Sequence, residues 1–86
     1  MLTLPENARI IVVGASGAIG RALIEHLRQH YPSAEIFGLS RSDVSSELPD
    51  RVQWLPMDLE SEESIVSAAE SICESGPIHA VLVATG

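Results

Sequence analysis

Gly14, Gly17 and Gly20, in the run G-A-S-G-A-I-G, stand directly after the apolar segment I-I-V-V. Gly14 permits a sharp turn out of a buried strand. Gly17 lets a ligand approach the backbone with no Cβ in the way, and Gly20 allows a helix to pack closely on the strand. The helix that follows opens with unpaired N–H groups and the positive end of its dipole, both suited to a pyrophosphate. Ser16, Ala18 and Ile19 fall in the same turn and join the glycines as candidate cofactor contacts. The chemistry implied is binding rather than bond making. No lysine occurs in the sequence, which excludes a Walker-type P-loop, whose Lys must reach the nucleotide phosphates. Glycine triplets also serve plain tight turns, so the strand-turn-helix setting carries the assignment.

A second group, Ser40, Arg41 and Ser42, follows the next apolar segment, where the adenosine ribose of a dinucleotide would lie. An acid there would bind the ribose hydroxyls of NAD. An Arg flanked by hydroxyls suits the 2′-phosphate of NADP, so NADP is the expected cofactor, with NAD still possible. Against this stands a solvated loop arginine, which Asp43 could neutralise. His26 and His30 are spaced i and i+4 like half a metal site, but no third ligand has matching spacing, and no metal is expected. Glu60, Glu62 and Glu63 read as a solvated, dipole-matched helix start, and His79 as structural. Cys73 reads as a buried reduced thiol on a helix face.

The six-residue step from Gly14 to Gly20 is one longer than in the common G-x-G-x-x-G fingerprint. In this span the chain resembles the short-chain dehydrogenase/reductase superfamily, in the G-x-x-G-x-x-G form of its extended and atypical members. Ala18 stands where other members place their middle glycine. With V-A-T-G at residues 83–86, the sequence is most similar to the bacterial C-factor-like reductases. The resemblance implies that Asp58, followed by Leu59, accepts a hydrogen bond from the adenine amino group; a helix-start cap is a compatible second role for Asp58. It also implies backbone contacts from Ala84 and Gly86. Val83, Ala84 and Thr85 depart from the family's N-N-A-G, so no asparagine-dependent detail carries over.

The same resemblance implies an oxidoreductase that moves a hydride between nicotinamide and a carbonyl or alcohol. The family's catalytic Tyr, its Lys four residues later and its Ser have no counterpart: Tyr31, the single tyrosine, is followed by P-S-A-E. Residues 1–86 are therefore expected to be a fragment, the dinucleotide-binding portion covering roughly the first third of the enzyme, with no turnover alone. The alternatives are a non-catalytic NADP-sensing protein and the start of an extended-type sugar-nucleotide epimerase or dehydratase.

The elements that must position these residues alternate between strand and helix. Strands are expected at residues 9–13, 35–40, 51–56 and 79–84. A first helix is expected over residues 18–29, with Ile19, Leu23 and Leu27 on its inner face beside Ala22. A second, capped by Ser61 and reaching residue 74, would place Ile65, Val66, Ala69, Ile72 and Cys73 at helical spacing. Residues 41–50 read as a polar loop, and Gly38 leaves room for a close neighbour. This pattern predicts an α/β fold, a Rossmann-type parallel sheet of order 3-2-1-4 with helices on its faces, an incomplete doubly wound fold. The fourth strand, H-A-V-L-V-A, is too apolar for an open edge, which predicts cover by further chain or by a homo-oligomeric partner.

The hydrophobic share of 45% excludes a disordered chain. A net charge of −7 excludes nucleic acid and anionic membrane surfaces as partners. A lone cysteine, no basic leader and no long apolar stretch make a cytoplasmic setting the expectation.

Overall fold

The computed structural model describes residues 7–74 and 76–84. Its elements run β1 (Arg9–Val13), α1 (Ala18–His30), β2 (Glu35–Ser40), a one-turn 3-10 helix (Ser45–Glu47), β3 (Val52–Pro56), α2 (Glu62–Cys73) and β4 (Ala80–Val83). The four strands form one parallel sheet in the order β3-β2-β1-β4, as the sequence pattern predicts. Parallel neighbours need crossover connections, and the α1 and α2 crossovers place one helix on each face. No helix among the described residues is long and apolar enough to cross a membrane.

The unbroken run R-I-I-V-V makes β1 the central strand, buried at every position. Its alternate side chains feed two cores. Ile10 and Val12 join Ile24, Leu27 and Ile36 under α1, while Ile11 and Val13 join Phe37, Leu39, Met57, Ala68 and Ile72 under α2. In register, Ile11 lies between Phe37 of β2 and Val81 of β4. The β1–β2 pairing therefore brings Val13 and Leu39 side by side at the carboxyl end of the sheet.

Helix α1 departs from the expected face. Gly20, Ile24 and Leu27 are its buried residues, whereas Ile19 is 59% exposed and Ala22 is also exposed. The cause is a contact at the first turn: a Cβ on Gly20 would lie 2.0 Å from the Gly14 carbonyl oxygen. That approach turns the residue without a side chain inward and rotates Ile19 out. In α2 the buried residues are Ala68 and Ile72; Cys73 is exposed, not a buried thiol, and Val66 and Ala69 also lie outside the core. The loop after β2 is only partly polar, since Val44 is buried in the α1-side core and Leu48 packs against it. Strand β3 begins one residue later than expected, because Arg51 takes a left-handed turn conformation with φ of 72°.

Arg9 ties the amino end of the sheet together. Although charged, it is buried, with Nη1 donating to the Ile72 carbonyl at 2.9 Å and to the Gly76 carbonyl at 2.6 Å. It thus neutralises the negative end of α2. Its Nε donates to Glu35 at 3.3 Å, and the guanidinium lies 5.1 Å from the Phe37 ring centroid. The Arg9 N–H donates to His79 Nδ1 at 3.0 Å, which accounts for the structural role expected of His79.

Gly17 differs from Gly20 in what surrounds it. A Cβ on Gly17 would meet only the Gly14 carbonyl oxygen, at an ordinary 3.6 Å, and its φ of −85° suits any residue. Gly20→Ala should therefore lower the unfolding free energy by roughly 3 kcal/mol or more. Gly17→Ala should cost no more than about 1 kcal/mol, the difference between Gly and Ala at a helix cap. Urea denaturation followed by circular dichroism separates the two.

Candidate functional site

The carboxyl ends of β1, β2 and β3 open into a cleft of about 460 Å³, within the range of about 300–1,000 Å³ usual for ligand sites. Three chain segments line it: Val13, Gly14 and Ser16 from the β1–α1 turn, residues 39–42 from the end of β2, and residues 57–60 from the end of β3. Open parallel sheets bind ligands in this place, outside the carboxyl ends of their strands.

Backbone bonds fix the first wall. The N–H groups of Gly14 and Ala15 both donate to the Leu39 carbonyl, at 2.8 and 3.1 Å, clamping the turn to the end of β2. Gly14 adopts φ of 95°, open only to glycine without strain, and its carbonyl accepts from the Gly17 N–H at 3.1 Å. Helix α1 then begins with no side-chain cap on Gly17 and no acidic residue in its first turn. Among the described residues, nothing accepts a hydrogen bond from the Ala18 and Ile19 N–H groups. These are the donors an anion would use.

The second wall follows β2. Ser40 is buried, and its hydroxyl donates to the Ser42 carbonyl at 2.7 Å while accepting from Trp54 Nε1 at 2.9 Å. Arg41 and Ser42 are exposed. Arg41 forms no ion pair with any described residue, because Asp43 turns elsewhere: its Oδ1 accepts from the Ser45 hydroxyl at 2.7 Å and the Ser45 N–H at 3.0 Å. The suggested neutralisation of Arg41 by Asp43 is therefore not realised. The Ser45 hydroxyl, and after it the Ser45 N–H, hold the Asp43 carboxyl below its ordinary value of 3.8. The loop is held further by Arg21 Nη2, which reaches Glu47 at 2.7 Å from the first turn of α1.

The third wall is set by a capping arrangement. Asp58 Oδ1 accepts from the Glu60 N–H at 2.9 Å, and the Asp58 N–H donates to the Ser64 hydroxyl at 2.9 Å. Ser61 caps α2, accepting from the Ser64 N–H at 3.3 Å, with Glu62 and Glu63 in the favourable first turn. Asp58 thus closes the turn before α2 while Ser61 caps the helix, and Asp58 Oδ2 makes no hydrogen bond to a described residue. Leu59, 53% exposed, offers apolar surface at the rim.

The cleft gathers Gly14, Ser16, Ser40, Arg41, Ser42, Asp58 and Leu59 from the candidates named by sequence. Gly17, Ala18 and Ile19 form the start of α1 beside it, and Gly20 faces the Gly14 carbonyl. Ala84 donates its N–H to the Val13 carbonyl at 2.8 Å, and Gly86 lies outside the described residues. Met57 and Glu60 also line the cleft and were not anticipated. A signal existed for both, since they flank Asp58-Leu59 at the carboxyl end of β3. His26 and His30 stack with ring centroids 4.1 Å apart on α1, away from the cleft.

A protein-family model described as semialdehyde dehydrogenase, NAD binding domain, matches residues 9–86. The chain belongs to that family. This NAD-binding domain is 32% identical over 69 residues to a 3-hydroxyacyl-CoA dehydrogenase type-2 from Drosophila melanogaster, covering 77% of the chain and 27% of that protein. Its fold matches a short-chain dehydrogenase/reductase from Saccharomyces cerevisiae with a TM-score of 0.79 at 19% identity, over 92% of this chain and 34% of the other. A second, from Burkholderia vietnamiensis, gives a TM-score of 0.62 at 24% identity, over 91% and 38%. The domain thus spans between about a quarter and two-fifths of these relatives. The expected resemblance to the N-terminal NAD(P)-binding part of a short-chain dehydrogenase/reductase is borne out as an NAD-binding domain with that fold. Membership of that family makes this a domain that binds a nicotinamide dinucleotide.

The Asp43 bond to Ser45 is directly testable. A carboxylate whose pKa is depressed in the folded state adds stability above its unfolded pKa and loses it as pH falls. The Asp43 carboxyl carbon should titrate below 3.8, and Ser45→Ala should move its midpoint upward, as read by NMR.

Proposed function

We propose that the chain is the N-terminal dinucleotide-binding portion of a short-chain-type oxidoreductase, preferring NADP and moving a hydride between nicotinamide and a carbonyl or alcohol substrate. The observation that carries the preference is the exposed Arg41, unpaired among the described residues, beside Ser42 on the β2 wall of the cleft. A 2′-phosphate presents acceptor oxygens to which a planar guanidinium donates two charge-assisted hydrogen bonds. The space beside Gly17, where a Cβ would meet only one carbonyl at 3.6 Å, and the open N–H groups of α1 fit a pyrophosphate.

On this reading each wall has a task. The Ala18 and Ile19 N–H groups bind the pyrophosphate, Asp58 takes the adenine amino group through the oxygen not used by Glu60, and Leu59 covers the base. Ala84 and Gly86 meet the ribose next to the nicotinamide through backbone. The cofactor supplies the hydride; the residues of this chain bind and orient it. Substrate chemistry falls to residues beyond this portion, so the 86-residue chain alone has no turnover. Coverage of only 27% to 38% of the relatives supports that division. Val81 and Val83, 55% and 65% exposed on β4, support cover by further chain or by a second copy. A lone cysteine suits a reducing, cytoplasmic compartment.

Arg41→Ala should weaken NADP binding by about ten- to hundredfold, the size of a charge-assisted contact of roughly 1.5–3 kcal/mol, and NAD binding by less than about twofold. Titration calorimetry with each cofactor reads both numbers. Equal loss for the two would remove Arg41 from phosphate recognition.

A further inference from the structure

Ser40 was a candidate ligand by sequence, yet its hydroxyl is committed within the protein. A hydroxyl has one proton to donate, and the Ser40 proton goes to the Ser42 carbonyl at 2.7 Å. One lone pair receives the Trp54 Nε1–H at 2.9 Å. The residue is buried, whereas its neighbours Arg41 and Ser42 are exposed. A phosphate in the cleft can therefore obtain no donor from Ser40 without breaking the bond that curls the chain after β2.

The arrangement has a clear structural basis. Trp54 stands opposite Gly38 in the β2–β3 register, and Ser40 stands opposite Pro56. Indole and hydroxyl are thus diagonal neighbours on one face, within reach of an aromatic side chain. The Ser40 carbonyl accepts from the Met57 N–H at 3.0 Å, so the base of the turn is bonded to β3 through both backbone and side chain. At the far end of the loop, Val44 is buried and Glu47 is paired with Arg21. Arg41 is held between two anchored points while its own side chain makes no hydrogen bond to a described residue.

We infer that Ser40 and Trp54 are positioning residues: the Trp54–Ser40–Ser42 hydrogen-bond chain fixes the turn carrying Arg41, and so sets the preference of the cleft for a 2′-phosphorylated dinucleotide. This rests on the role given to Arg41 above. Fixing the turn before binding lowers the ordering cost of the phosphate contact, which NAD does not make. Loss of the hydroxyl therefore affects NADP more than NAD. General loosening of the domain would affect both equally.

The test measures NADP and NAD dissociation constants by calorimetry for the parent chain, Ser40→Ala, Ser40→Thr and Arg41→Ala. Ser40→Ala is expected to lower the NADP-over-NAD affinity ratio about fivefold, the effect of one buried hydrogen bond. Ser40→Thr, which keeps the hydroxyl, should restore most of the ratio. If Arg41→Ala lowers the ratio and Ser40→Ala leaves it unchanged, the positioning role is overturned while the role of Arg41 stands. If Arg41→Ala itself leaves the ratio unchanged, the reading of Arg41 falls and the inference falls with it. Circular dichroism reports whether each variant is folded. Should Ser40→Ala not fold, Trp54→Phe takes its place, with a fall of about twofold expected and an unchanged ratio overturning the inference.

Discussion

The cofactor end of this domain depends on how closely α1 approaches the Gly14 carbonyl. That oxygen accepts the Gly17 N–H and sits where a Gly20 Cβ would intrude at 2.0 Å. Close approach fixes both the direction of the helix and its rotation. Direction matters because the open N–H groups at its start face whatever lies at the end of β1. Rotation matters because it selects Gly20, Ile24 and Leu27 as the buried stripe, an i, i+4, i+7 series. One steric requirement thus sets the packing of the α1-side core and the geometry of the candidate phosphate cradle together.

The sequence predicted strand order and helix positions well because crossover handedness and apolar runs leave few alternatives. It predicted rotation poorly. Apolarity alone favours Ile19 as an inward residue, and only the contact between Gly20 and Gly14 reverses that choice, a constraint invisible to a count of hydrophobic side chains. Cys73 and Ala69 failed for a related reason: Ala68 and Ile72 are the buried residues of α2, and Cys73, Ala69 and Val66 stay outside the core. Arg9 was hidden in another way. A charge at the start of an apolar strand reads as a boundary, yet burial here is stabilised by two carbonyls, a carboxylate and an aromatic face, all remote in sequence.

The site was legible by segment and less so by role. Three of the four strand-end segments named from the sequence line the cleft, each following a strand at the carboxyl edge of one parallel sheet, whereas Ala84 after β4 does not line it. Roles depend on which polar atoms remain unpaired after folding. Ser40 is spent on Ser42 and Trp54, and Asp43 on Ser45, leaving Arg41 without a partner among the described residues. Such competition among nearby donors and acceptors is local geometry, and residue types do not encode it.

The two halves of the candidate site are built from different materials, and this governs how each could change. The β1–α1 cradle is made of backbone N–H groups whose positions follow from glycine sterics, so substitution of Gly14 or Gly20 acts through folding. The β2 wall is made of side chains on an exposed loop, anchored from beneath by a buried serine and a half-buried tryptophan. Exchange of the residue at position 41 would alter the charge offered to a ligand without touching either core. On the proposed reading, a domain of this design keeps its pyrophosphate contacts fixed by the requirements of folding, while the preference at the ribose is adjustable through a few surface atoms. The Ser40 hydroxyl joins the fixed sheet to the adjustable loop, bonded to Trp54 of β3 on one side and to the Ser42 carbonyl on the other.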